Sequence, residues 1–245
     1  MEGKKAVIFA GGPGTRLAKT HPWVPKPLVP VCGKPIILIL LKRLISAGYN
    51  SIFIAVRHKA ETIMDFIKEN FVDSEAEINF IVEDEPLGTG GALYELKKFE
   101  QTVLALNGDL LSGIDFLAME EFHYKKKADL TIATHTEYHK LKLGEVIRDE
   151  EGNILDYLEK PVKEYRISSG TYLVGPKILK LIERKEWIPF PKIVKKAIDL
   201  GLKVMDFHHN YSWIDVNDSN DLKKAEEMLK QDPIAFGLSE EELEC

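Results

Sequence analysis

The stretch Val7-Ile8-Phe9-Ala10-Gly11-Gly12-Pro13-Gly14-Thr15-Arg16-Leu17 decides how the rest of the chain reads. Residues 6–10 have the length and composition of a short buried strand, and they run into a glycine-rich loop. Glycines let backbone N–H groups approach a phosphate with no Cβ in the way. Arg16 adds a planar cation that grips phosphate oxygens in pairs. The loop is not a Walker loop, because GxxxxGK[ST] is absent. It is not a dinucleotide fingerprint either, because Leu17 stands at the third glycine position. By itself the segment also fits a turn-rich surface loop.

Outward from this strand, the first half of the chain alternates in type. Residues 36–47 have helical length, with Gly48 as a C-terminal stop. Residues 51–56 form a strand rich in β-branched side chains. Residues 61–70 are amphipathic, with Ile63, Phe66 and Ile67 at helical spacing. Strands are expected at 77–82, 103–106 and 130–134, and helices at 90–98 and 116–127. Such alternation implies an α/β fold with a mostly parallel sheet covered on both faces. The second half differs. Residues 145–148 and 154–158 flank a polar turn and read as a hairpin. A strand at 170–174 follows, then helices opened by Pro176 and Pro191. Short strands at 203–207 and 213–216 precede a last helix capped by Asp218 or Ser219. The sequence thus divides into one domain, residues 1–231, and an acidic, loosely held tail, residues 232–245. No hexapeptide repeat follows, so no β-helix domain is expected.

Composition narrows the function. The chain has 245 residues, enough for one large core, with a formal net charge of −6. That acidity argues against a nucleic-acid partner but leaves room for a small basic site. No apolar run is long enough for a signal peptide or a membrane span. Cys32 and Cys245 show no zinc spacing and no disulfide framework, which fits a reducing cytoplasm. His208-His209 would point to opposite faces of a strand and reads as surface histidines rather than a metal site.

Eight residues after Leu17 comes Pro25-Lys26-Pro27-Leu28-Val29-Pro30-Val31. Its prolines stiffen the backbone and fix Lys26 in an extended stretch. A lone lysine between prolines is more often an exposed loop residue. Together with the glycine loop, however, it resembles the signature of the sugar nucleotidyltransferases. Further stretches match that family in order. Gly33-Lys34-Pro35-Ile36 starts the next helix. Glu83-Asp84-Glu85-Pro86-Leu87-Gly88-Thr89-Gly90-Gly91-Ala92-Leu93 resembles the base-binding loop. Leu106-Asn107-Gly108-Asp109 and Trp213-Ile214-Asp215-Val216 resemble the segments that carry the metal aspartates. Glu159-Lys160-Pro161 resembles the sugar-phosphate motif, and Ser168-Ser169-Gly170-Thr171-Tyr172 the sugar-facing strand. Ser168 stands where the family usually has Asn, and Val216-Asn217-Asp218 replaces a common Ile/Val-Gly-Thr. The resemblance spans about residues 4 to 230 and is closest to mannose- and heptose-1-phosphate guanylyltransferases.

The resemblance implies a GT-A-like, Rossmann-like fold and a specific reaction. A nucleoside triphosphate and a sugar 1-phosphate give a nucleoside diphosphate sugar and pyrophosphate. It implies that Ala10, Gly11, Gly12, Gly14, Thr15 and Arg16 hold the triphosphate, with Gly88 and Thr89 beside the base. Asp109 and Asp215 would hold Mg²⁺, a hard cation that prefers oxygen ligands. Arg16, Lys26 and Asp109 are the catalytic candidates. Lys26, Gly144, Glu159, Lys160, Ser168 and Gly170 are the candidates for the sugar phosphate. Glu159 beside Lys160 also fits an ordinary surface salt bridge.

Glu83 bears on the base. It stands where thymidylyl- and many uridylyltransferases of this superfamily carry Gln. An ionised carboxylate only accepts, and guanine presents two neighbouring donors, N1–H and its N2 amino group. GTP is therefore the favoured donor, with mannose or manno-heptose 1-phosphate as partner. The competing reading of Glu83 is a solvated member of the run Glu83-Asp84-Glu85. Three other functions stay open: a glucose-1-phosphate thymidylyl- or uridylyltransferase, a cytidylyltransferase for an alcohol phosphate, and a non-catalytic sensing subunit. The last is disfavoured because Arg16, Lys26, Asp109, Lys160 and Asp215 are all present. The oligomeric state is open, a homodimer included.

Overall fold

The computed structural model describes residues 3–17, 22–71 and 74–243. The first half contains β1 (Lys4–Phe9), the short pair β2 (Pro30–Val31) and β3 (Lys34–Pro35), α1 (Ile36–Ser46) and β4 (Tyr49–Val56). It continues with α2 (Ala60–Asn70), β5 (Glu77–Val82), the single turn α3 (Gly88–Gly91), β6 (Val103–Asn107) and β7 (Leu110–Ser112). Next come α4 (Phe116–Lys126), β8 (Leu130–Lys140), the hairpin strands β9 (Glu145–Arg148) and β10 (Ile154–Leu158), and β11 (Val162–Val174). The turn α5 (Pro176–Leu179), α6 (Phe190–Asp199), β12 (Val204–His208), β13 (Trp213–Asp215) and α7 (Ser219–Gln231) complete it.

One seven-stranded sheet runs β12-β8-β11-β6-β1-β4-β5. Strands β5, β4, β1 and β6 are parallel neighbours, and β12 is parallel to β8. β11 alone is antiparallel, to both β6 and β8. β1 lies at the centre of the parallel part. Ala6, Val7 and Ile8 are fully buried there, and their side chains alternate between two cores. Ala6 and Ile8 join the larger core, which includes the apolar face of α1 and the buried residues of α7. Val7 joins the smaller one, built with Ile178, Ile193 and Ala197 of α5 and α6. The mostly parallel sheet flanked by helices agrees with the reading of the sequence.

Helix α1 buries Ile36, Ile37, Ile39, Leu40, Leu41 and Leu44. It stops where expected: Gly48 has φ +83, and a Cβ there would meet nothing. Conformation rather than space demands the glycine. Asp218 caps α7 by accepting from the N–H groups of Asn220 and Asp221.

Four features differ from the reading. The helix expected at 90–98 is the single turn α3 followed by a 3-10 turn at Ala92–Leu96. Three glycines at its start carry poor helix propensity, and Gly90 lies so close to Ile188 that a Cβ would sit 2.9 Å from its carbonyl oxygen. β8 and β11 run several residues beyond the expected strands and pair from Val162↔Lys140 to Val174↔Leu130, with an irregularity between Ser168 and Tyr172. Their outer halves are polar and solvated, so no apolar alternation marks them. The stretch after Gln231 is not a loose tail. Phe236 and Leu238 are buried in the larger core, and Glu242 pairs with Lys42 of α1. Finally, Cys32 is buried and disulfide-bonded, against the expectation of a chain without disulfides; Cys245 lies outside the described residues.

Among the described residues no helix is long and apolar enough to cross a membrane.

Candidate active site

A cleft of about 280 Å³ opens at the carboxyl ends of β1, β4, β5 and β6. Crevices at strand carboxyl ends are where open α/β sheets bind ligands. The glycine loop forms one wall. Ala10 is anchored by its N–H to Ala55 O at 2.8 Å. Gly12 is exposed, and a Cβ there would meet nothing. Gly14 has φ +56, and a Cβ would lie 2.8 Å from Cβ of Lys26. Both the backbone conformation and the close approach to Lys26 therefore exclude a side chain at Gly14. Thr15 and Arg16 follow at the exposed mouth.

Lys26 is the hub. It does not lie in the extended stretch expected from its prolines: it opens a 3-10 turn at Lys26–Leu28, between Pro25 and buried Pro27. Its side chain is only 10 % exposed. The ammonium donates to Asp109 Oδ2 at 2.5 Å and to Asn217 Oδ1 at 2.9 Å, and lies 3.7 Å from Asp215 Oδ1. Asp109 follows β6 in a turn where Gly108 N–H donates to Phe9 O. A Cβ at Gly108 would lie 2.9 Å from that oxygen, so the turn packs directly on the end of β1. Asp215 ends β13, opposite Leu110 of β7, and the Val216 N–H bonds back to Asp109 O. Backbone pairing thus brings together two carboxylates that are far apart in sequence.

The hydrogen bonding of the two carboxylates is incomplete. Oδ1 of Asp109 and Oδ1 of Asp215 are both buried with no hydrogen-bond partner. The 3.7 Å approach of Lys26 to the latter is an ion pair without a hydrogen bond. Burial, and then the neighbouring Asp109 charge, push the Asp215 carboxyl above the usual carboxylate range. Two unsatisfied buried oxygens, on carboxylates that share Lys26, fit a hard divalent cation. Among the described residues no group of three or more His, Cys, Asp or Glu could cage a metal alone. A pair of carboxylates is a donor set that hard divalent cations use together with substrate phosphates.

Two residues were missed in the sequence. Asn217 Oδ1 accepts from both Arg16, at 2.8 Å, and Lys26, and so joins the glycine loop to the hub. Its only signal is its place two residues after Asp215. Arg57 follows β4 and lines the cleft. In sequence, Arg57-His58-Lys59 reads as a plain polar loop.

Glu83 faces the cleft rather than forming part of a solvated acidic run. It is half-buried, its N–H donates to Val56 O at 2.9 Å, and burial raises its pKa while the charge of Arg57 lowers it. Gly88 and Thr89 also line the cleft, but each has a packing role. A Cβ at Gly88 would lie 2.7 Å from Ile188 O, and Thr89 Oγ1 accepts from Phe190 N–H at the start of α6.

Of the sugar-phosphate candidates Lys26 lines this cleft, and Gly144, Glu159, Lys160, Ser168 and Gly170 do not. Glu159 and Lys160 are exposed and pair with each other at 3.5 Å. Gly144 lies against the Tyr157 hydroxyl. Ser168 is exposed and donates to Tyr172 Oη at 3.3 Å. Gly170, with φ +70, sits in the strand irregularity, where a Cβ would meet Asn107 Nδ2 at 2.8 Å. Asn107 itself lines the cleft, so Gly170 stands one residue behind it.

His209 is not a surface residue; it is 5 % exposed. Ser169 Oγ bridges its Nε2, at 3.0 Å, and His135 Nδ1, at 2.9 Å, while His135 stacks on Trp213. Burial lowers the His209 pKa from 6.5 to about 4. The folded chain then resists a proton that the unfolded chain takes up. Stability should fall as pH drops from about 6.5 toward 4. His209→Gln should flatten this part of a urea-midpoint profile; an unchanged slope would remove the buried neutral imidazole from the account.

The matched family agrees with this architecture. Residues 5–232 match the nucleotidyl transferase family, and the chain belongs to it. Among individual proteins, it is 34 % identical over 230 residues to mannose-1-phosphate guanyltransferase 2 of Candida glabrata, covering 89 % of this chain and 62 % of that protein. The Debaryomyces hansenii mannose-1-phosphate guanyltransferase is 32 % identical with the same coverage. The chain thus spans 62 % of the length of these curated relatives. Among solved structures, HddC from Yersinia pseudotuberculosis complexed with GMP-PN superposes with a TM-score of 0.70 at 28 % identity, covering 93 % of this chain and 100 % of that one.

Proposed function

We propose that this chain is a sugar-1-phosphate nucleotidylyltransferase that uses GTP with mannose 1-phosphate or a manno-heptose 1-phosphate. The observation that carries the reading is the hub: Lys26 between Asp109 and Asp215, beside an open glycine loop. Both substrates are anions, and such a site can hold two phosphates close together. The matches to guanyltransferases and to a GMP-PN complex support the choice of base.

The chemistry follows from the placement. The phosphate oxygen of the sugar 1-phosphate attacks the α-phosphorus of GTP, and pyrophosphate leaves in line. No covalent enzyme intermediate is required, because the attacking oxygen is already ionised. The loop N–H groups of Gly11, Gly12, Gly14 and Thr15 hold the triphosphate. Arg16, at the mouth, stabilises charge on the departing pyrophosphate. Lys26 screens the two phosphates from one another, and Asn217 fixes both cations in place. Asp109 and Asp215 would hold Mg²⁺, which when bound supplies further charge neutralisation between the phosphates. Catalysis is positioning and charge stabilisation.

A pyrophosphate-release matrix of the common nucleoside triphosphates against several sugar 1-phosphates tests the reading. GTP with a manno-configured sugar phosphate should give the highest kcat/KM. Equal release without any sugar phosphate would contradict it. Within that matrix, Lys160→Ala should raise KM for the sugar phosphate more than for the nucleotide. A sugar-phosphate KM that does not move would reduce Lys160 to its surface pair with Glu159.

A further inference from the structure

Glu83 does not stand alone in the cleft. Arg57 directly follows β4 and Glu83 directly follows β5, and these strands are parallel neighbours in register Val56↔Val82. The two side chains therefore leave adjacent strand ends into the same cleft. The bond from Glu83 N–H to Val56 O extends the ladder to this point and fixes their spacing. Gly11 lies between them: a Cβ there would be 3.4 Å from both Arg57 Cβ and Glu83 Oε2. The glycine loop thus passes over the pair and leaves it room. Arg57 is half-buried, its charge lowers the pKa of Glu83, and its guanidinium has no hydrogen bond to another described residue. A half-buried guanidinium with donors unspent, beside an acceptor-only carboxylate, faces a ligand.

We propose that Arg57 and Glu83 read guanine together, Arg57 donating to O6 and N7 while Glu83 accepts from N1–H and the N2 amino group. On guanine these four positions follow one another along a single margin, acceptors next to donors. A neighbouring arginine and glutamate present the complementary order. Arginine is suited to the O6/N7 pair because its fork donates two bonds in one plane. The other bases fail at one or more points. Adenine puts an amino group where the guanidinium needs an oxygen, and its N1 carries no hydrogen. Cytosine likewise places an amino group there. Uracil offers an oxygen to the fork but only one N–H to the carboxylate, whose second oxygen then faces a carbonyl. This assignment rests on the guanylyl reading above and identifies how that site chooses its base.

Base analogues test each half separately. Inosine triphosphate lacks the N2 amino group, and 7-deaza-GTP lacks the N7 acceptor. Wild type should lose about tenfold in kcat/KM on each, the cost of one hydrogen bond to a charged group. Arg57→Met should use GTP and 7-deaza-GTP alike while still discriminating against inosine triphosphate. Glu83→Gln should show the converse. Arg57→Lys keeps the charge beside Glu83 and loses the fork; it too should lose the 7-deaza discrimination. If wild type prefers GTP but accepts 7-deaza-GTP equally well, the Arg57 assignment is overturned and the guanylyl reading survives. The same holds if both Arg57 variants slow every nucleotide by one common factor, which would make Arg57 a phosphate or packing residue. A wild-type preference for UTP, dTTP, CTP or ATP overturns both.

Discussion

Lys26→Met should lower kcat by on the order of a thousandfold, with the fold retained. Its ammonium bonds to Asp109 and Asn217 and lies against Asp215. Removing it leaves two carboxylates without their shared cation, in the place where two phosphates must meet. Their repulsion then falls on the transition state rather than on one substrate. KM for each substrate should change far less than kcat, because screening between the substrates matters most when both are bound and bond formation begins. Single-turnover rates measured at saturating concentrations of both substrates separate the chemical step from binding. A rate within threefold of wild type would remove Lys26 from the reaction.

Asp109→Asn and Asp215→Asn should each lower turnover to a similar degree, on the order of a thousandfold, since each removes a charged oxygen from the proposed Mg²⁺ site. Stability should respond in the opposite sense at Asp215. Its carboxyl is pushed above the usual range by burial and by Asp109, so ionisation costs the folded state more than the unfolded state. The fold is penalised at every pH above that raised value, and the penalty is relieved as pH falls through it. A neutral Asn removes the penalty. The melting temperature of Asp215→Asn should therefore equal or exceed that of wild type at neutral pH, a gain in stability bought with lost function. Full activity at saturating Mg²⁺, or a clear drop in melting temperature, would contradict this account of the carboxylate pair.

Much of this site is legible in the sequence because local chemistry dictates it. Residues 6–10 are apolar enough to be a buried strand, and the glycines after them, together with the Pro-Lys-Pro stretch, single out the loop as a phosphate site over a plain surface turn. Prolines on both sides mark Lys26 as a stiffened position, although it lies in a 3-10 turn and not in the extended stretch they suggest. What the sequence does not carry is distance. Asn217 reads as a minor departure from a motif, and only the β7–β13 pairing, with the Val216–Asp109 backbone bond, brings it to Arg16 and Lys26. Arg57 is hidden for the same reason: its partner is one strand away in the sheet and 26 residues along the chain. His209 looks like a surface residue because the feature that buries it, Ser169 on β11, is forty residues distant. The outer halves of β8 and β11 escape because polar strands that pair with one another need no apolar face. Phe236 and Leu238 escape because the few apolar residues of this short stretch form no clear period, although the larger core buries both.

The central claim is that the sugar phosphate attacks the α-phosphorus of the nucleotide in the cleft organised by Lys26. Isotope transfer tests it most directly. GTP and mannose 1-phosphate carrying ¹⁸O in its phosphate group are incubated with the enzyme and Mg²⁺, and the products are read by mass spectrometry. All the label should stay in the nucleoside diphosphate sugar, including the new bridging oxygen, and the pyrophosphate should be unlabelled. Label in pyrophosphate or in inorganic phosphate, or GMP released without a sugar nucleotide, would contradict it.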